Sequence, residues 1–305
     1  MVISNSQPLR QNTLEVNLGA AAKNIQAVRN LVGPNRKIFA VVKANGYGYG
    51  AAEMGSVFVK HGADALAVGN LSEGIRLRKH GINVPILVYP NSLPEAAKET
   101  IVYGLLPVLV DLESAQAYSN AAKSPYDVFV NIDVGYERLG IPAEMAPDFI
   151  AELLKLPNIR LGGICAHGHA ERADQAYVEW QLNRFVSVVD KVEKSGVKVP
   201  IRLLAASPFI MNFPETYLNA VDPGRMLYGI NYTDEETSIS LKPVLKSLKT
   251  YVIAIKDVIP RKQFAELVPF PITRPMKLGM IPIGIADGLT WLKGGEYLFV
   301  HIVYQ

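Results

Sequence analysis

The sequence predicts an α/β protein, a TIM-type (β/α)8 barrel followed by a partial β domain. Short apolar runs rich in Val, Ile and Leu alternate with longer amphipathic stretches between about residues 37 and 230, which is the signature of repeated βα units. There are eight such runs, the number that a barrel of this type requires. After Ile230 apolar and polar residues nearly alternate, as in strands with one exposed face. We therefore expect a barrel at residues 1–235 and a partial C-terminal β domain at residues 236–305.

The eight apolar runs define the predicted barrel strands. In chain order they are Ile38 to Val42, Ala65 to Val68, Ile86 to Tyr89, Leu106 to Val110, Val128 to Ile132, Leu161 to Cys165, Ile201 to Leu204 and Met226 to Ile230. The stretches between them are predicted to be helical. Asn70 and Glu73 have the spacing of a helix capping box, and Pro142 to Leu156 is apolar at helical intervals.

The C-terminal part is predicted to contain further strands. They lie within Ser240 to Ile259, Met276 to Ile285 and Tyr297 to Tyr304. The last of these runs is apolar and no polar tail follows it, whereas a natural C-terminus usually ends in a more soluble segment. We therefore expect the second domain to be truncated.

The composition indicates a globular protein whose partners are small molecules. The 305 residues are 49% hydrophobic and carry a formal charge of +3, and Lys and Arg are scattered, so neither nucleic acid nor a membrane surface is an expected partner. Met1 to Asn12 lacks a signal pattern, and no apolar stretch approaches the roughly 18 residues of a spanning helix, so we expect a cytoplasmic protein. The single cysteine, Cys165, lies in an apolar run and is expected to be packed core.

Active sites on such barrels lie at the carboxyl ends of the strands, and phosphate is often bound after strands seven and eight. Lys43 follows the first strand, in a glycine-rich segment, and is either a solvated rim residue or a nucleophile for a carbonyl. The fifth, sixth and seventh strands are followed by Asp133 to Gly140, by His167-Gly168-His169 and by Ala205-Ala206-Ser207 respectively. The predicted eighth strand is preceded by Asp222-Pro223-Gly224-Arg225. The two histidines lack an adjoining carboxylate cluster, so no metal site is expected.

Five motifs in the same order resemble the alanine racemase family along nearly the whole chain. The segment Val41 to Gly50, V-V-K-A-N-G-Y-G-Y-G, is similar to the family's cofactor-lysine signature V-V-K-A-N-A-Y-G-H-G. The other four are I-D-V-G-Y-E-R-L-G-I (Ile132 to Ile141), F-P-E-T (Phe213 to Thr216), P-G-R-M-L-Y-G-I (Pro223 to Ile230) and I-P-I-G-I-A-D-G (Ile281 to Gly288). The resemblance implies an amino-acid racemase that depends on pyridoxal 5'-phosphate (PLP) and forms a homodimer.

The resemblance also implies roles for individual residues. Lys43 would carry the cofactor as a Schiff base and serve as one proton-transferring base. The other implied contacts are Tyr47 at the cofactor phosphate, Arg138 at the phenolic oxygen, His167 near the pyridine ring, and Ser207 with the backbone amides of Gly224 and Arg225 at the phosphate. The cofactor would act as an electron sink, while the protein sets orientation and protonation.

Several positions depart from the family pattern. Ile285 replaces the tyrosine that serves as the second base, and isoleucine cannot move a proton. Asp222 replaces an arginine at the pyridine nitrogen, which would favour a protonated ring and resembles the E-P-G-R motif of the related barrel decarboxylases. Ala206 replaces an asparagine, and Asn131 replaces a lysine that some members carry as a carbamate. The chain also ends before the family's late motifs.

Three hypotheses follow from these motifs and departures. The leading one is a racemase of the alanine racemase type, with activity that is either normal, impaired or altered in specificity. The second keeps the cofactor but changes the reaction to decarboxylation or another carbanion process, because of Asp222 and Ile285. The third is a degenerate homologue that binds the cofactor without turnover. The residue pattern does not name the substrate beyond a small amino acid.

Overall fold

The computed structural model describes residues 12–90, 93–170, 174–230, 239–260, 272–284 and 287. These residues form two units. The larger unit comprises the described residues between 16 and 244, and the smaller one comprises residues 12–15 and those from 245 onwards. The predicted boundary between residues 235 and 236 lies outside the described residues.

The larger unit is a closed barrel of eight parallel strands, which confirms the predicted fold class. Its sheet closes because β5 pairs with β6 and β10 pairs with β2. A short strand, β7, is added beside the carboxyl end of β6. The eight barrel strands are β2 (Lys37–Val41), β3 (Ala65–Val68), β4 (Ile86–Val88), β5 (Leu106–Leu109), β6 (Tyr126–Asp133), β8 (Ile159–Ala166), β9 (Ile201–Ala206) and β10 (Ala220–Asp222). The added strand β7 is Ile141–Pro142, and β1 (Thr13–Val16) precedes the barrel in the chain.

Helices connect the barrel strands. They are α1 (Leu18–Val32), α2 (Lys43–Tyr47), α3 (Ala51–His61), α4 (Leu71–Lys79), α5 (Ala97–Val102), α6 (Leu112–Ala121), α7 (Ala146–Leu153), α8 (Gln175–Lys194) and α9 (Ser207–Asn212), with 3-10 turns at Pro94–Ala96, Pro214–Thr216 and Arg225–Tyr228. Side chains of Asn17, Asn70, Asp111 and Asp174 cap α1, α4, α6 and α8. Each cap satisfies a backbone N–H that the first helical turn leaves unpaired.

The prediction of the eighth strand was wrong. The run Met226 to Ile230 is apolar because Met226, Leu227 and Tyr228 are buried in a 3-10 turn that packs against α1. The strand is β10, whose three residues are too few to show a periodicity. Consequently Asp222 ends the last strand and residues 223–225 follow it, so the segment 222–225 does not precede a strand.

Two apolar layers hold the barrel. Inside it, a cluster contains side chains from alternate positions of the strands, among them Phe39, Leu87, Phe129 and Cys165. A larger cluster lies between the strands and the surrounding helices. Because Cys165 is 3% exposed and belongs to the inner cluster, its predicted position in packed core is correct.

The smaller unit contains two short sheets. One pairs β1 with β11 (Leu245–Lys249), and the other pairs β12 (Ala254–Val258) with β13 (Met276–Met280) in antiparallel register. The carboxylate of Asp287 accepts the backbone N–H of Gly284 at 3.1 Å, so this aspartate stabilises a turn. The predicted strand Tyr297 to Tyr304 lies outside the described residues.

None of the described helices combines the length and the apolar composition that crossing a bilayer demands.

Candidate active site

A cavity of about 510 Å³ opens at the carboxyl ends of the barrel strands, where barrel enzymes carry their active sites. All eight residues that the sequence proposed for the site line this cavity. They are Lys43, Tyr47, Arg138, His167, Ser207, Asp222, Gly224 and Arg225. The barrel therefore brings together residues separated by up to 182 positions in the chain, although it does not by itself show their roles.

Lys43 begins α2, a short left-handed segment that we call the Lys43 loop. The next residues, Ala44, Asn45 and Gly46, all have φ between 53° and 63°, a left-handed conformation that costs an L residue about 1–2 kcal/mol. The buried carboxylate of Glu73 offsets this cost, since it accepts the N–H groups of Ala44 at 2.7 Å and Asn45 at 3.4 Å. It also accepts the N–H of Gly69 at 2.8 Å. A residue of α4 thereby fixes the loop that carries the lysine.

The capping-box interpretation of Glu73 was correct only in part. Asn70 caps α4 as expected, because its side chain accepts the N–H of Glu73 at 3.0 Å. The Glu73 carboxylate does not return to the backbone of Asn70 and instead binds the Lys43 loop and Gly69. The spacing predicted the start of the helix, but only the fold shows that the Glu73 side chain binds the backbone next to Lys43.

A compact turn after β9 and β10 has the features of a phosphate site. The hydroxyl of Ser207 accepts the backbone N–H of Gly224 at 2.9 Å and that of Met226 at 3.4 Å. A Cβ atom on Gly224 would lie 2.7 Å from the Tyr47 hydroxyl, so only glycine lets the phenol approach this backbone. Surrounding protein raises the pKa of Tyr47 to about 12, which keeps its O–H available as a donor. Arg225 adds a positive charge at the same turn.

Asp222 is the buried acid of the cavity. Its side chain is 5% exposed, and its Oδ2 accepts the hydroxyl of Tyr89 at 2.6 Å. Among the described residues its Oδ1 has no hydrogen-bond partner. Burial raises the pKa of Asp222 to about 7, against the opposing effects of the Tyr89 hydrogen bond and the nearby Lys43 charge. Such an oxygen is unusual in a folded protein and calls for a functional explanation.

The loop that carries Arg138 is held by Asp133. The Asp133 carboxylate accepts backbone N–H groups of four successive residues, 135–138, at distances from 2.8 to 3.3 Å. The guanidinium of Arg138 lies 4.7 Å from the ring centroid of Tyr136, and the Tyr136 ring stacks on His169 at 4.7 Å. Cation–π contact and stacking orient all three side chains along one wall of the cavity.

His167 lies on the same wall, with its ring centroid 5.6 Å from that of Tyr136. Although the residue is exposed to the cavity, desolvation by the surrounding protein lowers its pKa, and the charges of Arg138 and Lys43 lower it further. We therefore expect a neutral imidazole at pH 7. Within the described ranges, no three His, Cys, Asp or Glu side chains are grouped so as to hold a metal ion.

Sequence reasoning missed three residues of this site. Tyr89 directly follows β4, so the rule on strand ends could have found it; Tyr136 lies inside a motif that was singled out only for its arginine. Glu73 left no signal for its contact with the Lys43 loop. Ile285, which replaces the tyrosine that serves as second base in the family, lies outside the described residues.

A closed (β/α)8 barrel with a lysine, a buried acid and the Ser207–Gly224 turn around one mouth is the architecture of a small-molecule enzyme. Comparison with protein families matches residues 16–232 to the model described as alanine racemase, N-terminal domain. The chain belongs to the alanine racemase family. This confirms the resemblance seen in the motifs.

Individual relatives agree with this assignment. The alanine racemase of Methanococcus maripaludis is 32% identical over 295 residues, which cover 94% of this chain and 79% of that protein. The alanine racemase of Desulforamulus reducens is 34% identical, with 90% and 76% covered. The solved alanine racemase of Clostridium difficile has a TM-score of 0.84 at 32% identity, with 93% of this chain and 76% of that chain covered. For the Bacillus anthracis enzyme with bound L-Ala-P, the TM-score is 0.83 at 27% identity, with 93% and 75% covered.

Proposed function

We propose that this protein is a PLP-dependent amino-acid racemase that interconverts the enantiomers of alanine, the amino acid for which its relatives are named. One observation carries the proposal: a single cavity at the barrel mouth joins Lys43, the Ser207–Gly224 turn and the buried carboxyl group of Asp222. These groups match the aldehyde, the phosphate and the ring nitrogen of PLP respectively.

The fit to PLP rests on the chemistry of the residues present. The turn of Ser207, Gly224 and Arg225 places a hydroxyl and a cation where an anion could bind, and the backbone N–H of Gly224 orients that hydroxyl by donating to it at 2.9 Å. At the other end, the unpaired Oδ1 of Asp222 can accept one N–H from a protonated heteroaromatic ring. Lys43 supplies a primary amine at the same mouth, so three separate parts of the cofactor each find a complementary group.

When bound, the cofactor supplies an electron sink that acidifies the Cα proton of an amino acid. The residues of the chain then have distinct tasks. The amine of Lys43 would take or return a proton on one face of Cα, while the neutral imidazole of His167 and the charge of Arg138 would orient the ring without competing for that proton. Racemisation returns one proton for each proton removed, so no atom is gained or lost.

A second candidate reaction is decarboxylation of an amino acid. Asp222 favours it, since an acid at the ring nitrogen makes the cofactor a stronger electron sink than an arginine would. In that reaction the bond from Cα to the carboxyl carbon breaks in place of the bond to hydrogen, carbon dioxide leaves, and Cα takes up a proton in its place to give the amine. A homologue that binds the cofactor without turnover is the third possibility.

One set of incubations separates these functions. The PLP-loaded protein is incubated with L-alanine, D-alanine and L-lysine, and the products are analysed by chiral chromatography and by detection of released amines. We expect D-alanine from L-alanine and the reverse, with no turnover by the Lys43→Ala variant. Amine release instead would favour decarboxylation, and cofactor binding without any product would favour the non-catalytic homologue.

We also propose that the protein is a homodimer, as the family resemblance implies. In the smaller unit, Ile253 precedes β12 and Ile255 lies in it, and these side chains are 62% and 68% exposed. A protein interface would bury such apolar surface. Sedimentation velocity at micromolar concentration should give a dimer. A single monomeric species would contradict the proposal.

A further inference from the structure

The hydrogen bond between Tyr89 and Asp222 crosses the interior of the barrel. Tyr89 follows β4 and Asp222 ends β10, and two strands, β2 and β3, lie between these in the sheet. The two residues are therefore not on neighbouring strands. Their side chains meet across the barrel mouth, with 2.6 Å between the Tyr89 hydroxyl oxygen and Asp222 Oδ2.

This hydrogen bond has two physical effects on the acid. It holds the carboxyl group in one orientation, with Oδ2 occupied and Oδ1 left without a partner among the described residues. It also stabilises the ionised form, because a donor to a carboxylate lowers its pKa. Burial acts in the opposite direction and is the larger effect. The charge on Asp222 near neutral pH therefore depends on the Tyr89 hydroxyl.

The remaining titratable groups that face Asp222 do not replace that hydroxyl. Lys43 contributes a positive charge, while Cys165 and Tyr47 are themselves protonated, since burial raises the pKa of both. The Cys165 thiol is directed to the Val130 carbonyl oxygen at 3.7 Å and to the side-chain oxygen of Asn131 at 3.6 Å. Among the described residues, Tyr89 is the side chain that donates a hydrogen bond to Asp222.

We propose that Tyr89 is a positioning residue that keeps Asp222 ionised and oriented, so that Oδ1 can receive the protonated ring nitrogen of the cofactor. This inference rests on the proposed function. Tyr89 also sits beside the proposed cofactor lysine, because the Lys43 Nζ atom lies 5.6 Å from its ring centroid. One tyrosine thus lies between the residue that would bind the cofactor covalently and the acid that would set the charge of its ring.

The first test uses the cofactor-free protein and does not require activity. The pKa of Asp222 is measured by infrared difference spectroscopy of the carboxyl band, with the Asp222→Asn protein subtracted to remove other acids. Tyr89→Phe should raise this pKa by about one to two pH units, as expected for loss of a hydrogen bond to a charged group. An unchanged pKa would overturn the inference.

A matched control is available in Tyr126, whose hydroxyl donates at 2.6 Å to the carbonyl oxygen of Leu105. Tyr126→Phe removes a hydrogen bond of the same length without touching Asp222, and it should leave the Asp222 pKa unchanged. An equal shift in both variants would mean that loss of any such tyrosine hydroxyl disturbs the barrel, which would overturn the specific role of Tyr89.

The second test measures PLP dissociation constants in a double-mutant cycle. Tyr89→Phe should weaken binding about tenfold in the wild-type background and have little effect when Asp222 is already asparagine, because the tyrosine acts through that acid. Equal weakening in both backgrounds would show that Tyr89 acts by packing and would overturn the inference alone. Wild-type protein that binds no PLP would overturn the proposed function and this inference with it.

Discussion

The carboxylate of Glu73 accepts the backbone N–H of Ala44 at 2.7 Å, so a helix residue 29 positions away holds the loop next to the proposed cofactor lysine. The same carboxylate binds Gly69, whose Cβ, if it had one, would lie 3.4 Å from the Cβ of Lys43. A buried acid thus helps to hold the left-handed backbone after Lys43, together with hydrogen bonds inside the segment such as that from the Gly48 N–H to the Ala44 carbonyl oxygen.

Replacing Glu73 should loosen this loop. In Glu73→Gln, the amide NH2 group takes the place of one of the two carboxylate oxygens, and it cannot accept the backbone N–H groups that this oxygen accepted. Loss of hydrogen bonds to a charged group costs about 1.5–3 kcal/mol. We expect a lower free energy of unfolding and weaker PLP binding, measured by urea denaturation and by cofactor titration. Glu113→Gln, an exposed glutamate in the first turn of α6, is the control. Equal stability of the two variants would argue against the role of Glu73.

Lys43 should be the residue that binds the cofactor covalently. Borohydride reduction of the protein incubated with PLP should fix a phosphopyridoxyl group on the peptide that contains Lys43, as detected by mass spectrometry. Lys37 lies at the opposite end of β2 and pairs with Asp64 at 3.1 Å, so Lys37→Arg should label normally. A label recovered on another lysine, or none on folded protein, would refute the assignment.

The raised pKa of Asp222 has a consequence for stability in the cofactor-free protein. An acid whose pKa is higher in the folded state stabilises the fold below its ordinary pKa of 3.8, and this contribution is lost as the pH rises toward about 7. Each pH unit of pKa difference corresponds to about 1.4 kcal/mol. His167 acts in the opposite sense, because its lowered pKa makes the fold less stable as the pH falls.

A comparison with Asp222→Asn isolates the effect of the acid. The unfolding free energy of the wild type minus that of the variant should decrease between pH 5 and pH 8, while the contribution of His167 cancels because both proteins carry it. Urea denaturation at a series of pH values measures this difference. A difference that stays constant with pH would mean that Asp222 titrates normally.

Ile285 replaces the tyrosine that serves as the second proton-transferring base in the family, so we expect this protein to lack that base. If the rest of the site is intact, Ile285→Tyr should raise the rate of alanine racemisation, since a positioned proton donor is typically worth about a hundredfold to ten-thousandfold. Ile281→Tyr places the same side chain four residues earlier and should not raise the rate. Rapid racemisation by the unmodified protein in both directions would show that another residue supplies the second proton.

Motifs that lie within one stretch of chain could be predicted from the sequence. The lysine segment after β2 and the serine after β9 each follow an apolar run, and the rule on strand ends predicts that such residues share one mouth. Asp222 and Gly224 were instead assigned to the site by the family resemblance, because the predicted eighth strand came after them. The eighth strand was misplaced because a buried strand of three residues carries no periodic pattern, whereas the apolar 3-10 turn after it resembles a strand.

The amino-acid sequence by itself determined the barrel, the family and eight of the residues that line the cavity, because these depend on apolar periodicity and on short ordered motifs. Only the tertiary structure decided which side chains control one another. Tyr89 and Asp222 are 133 positions apart, and Glu73 reaches Ala44 from another helix. Such hydrogen bonds form when barrel closure brings distant side chains together in a space of low dielectric, where an unpaired polar group is costly. No local pattern in the chain specifies these pairs.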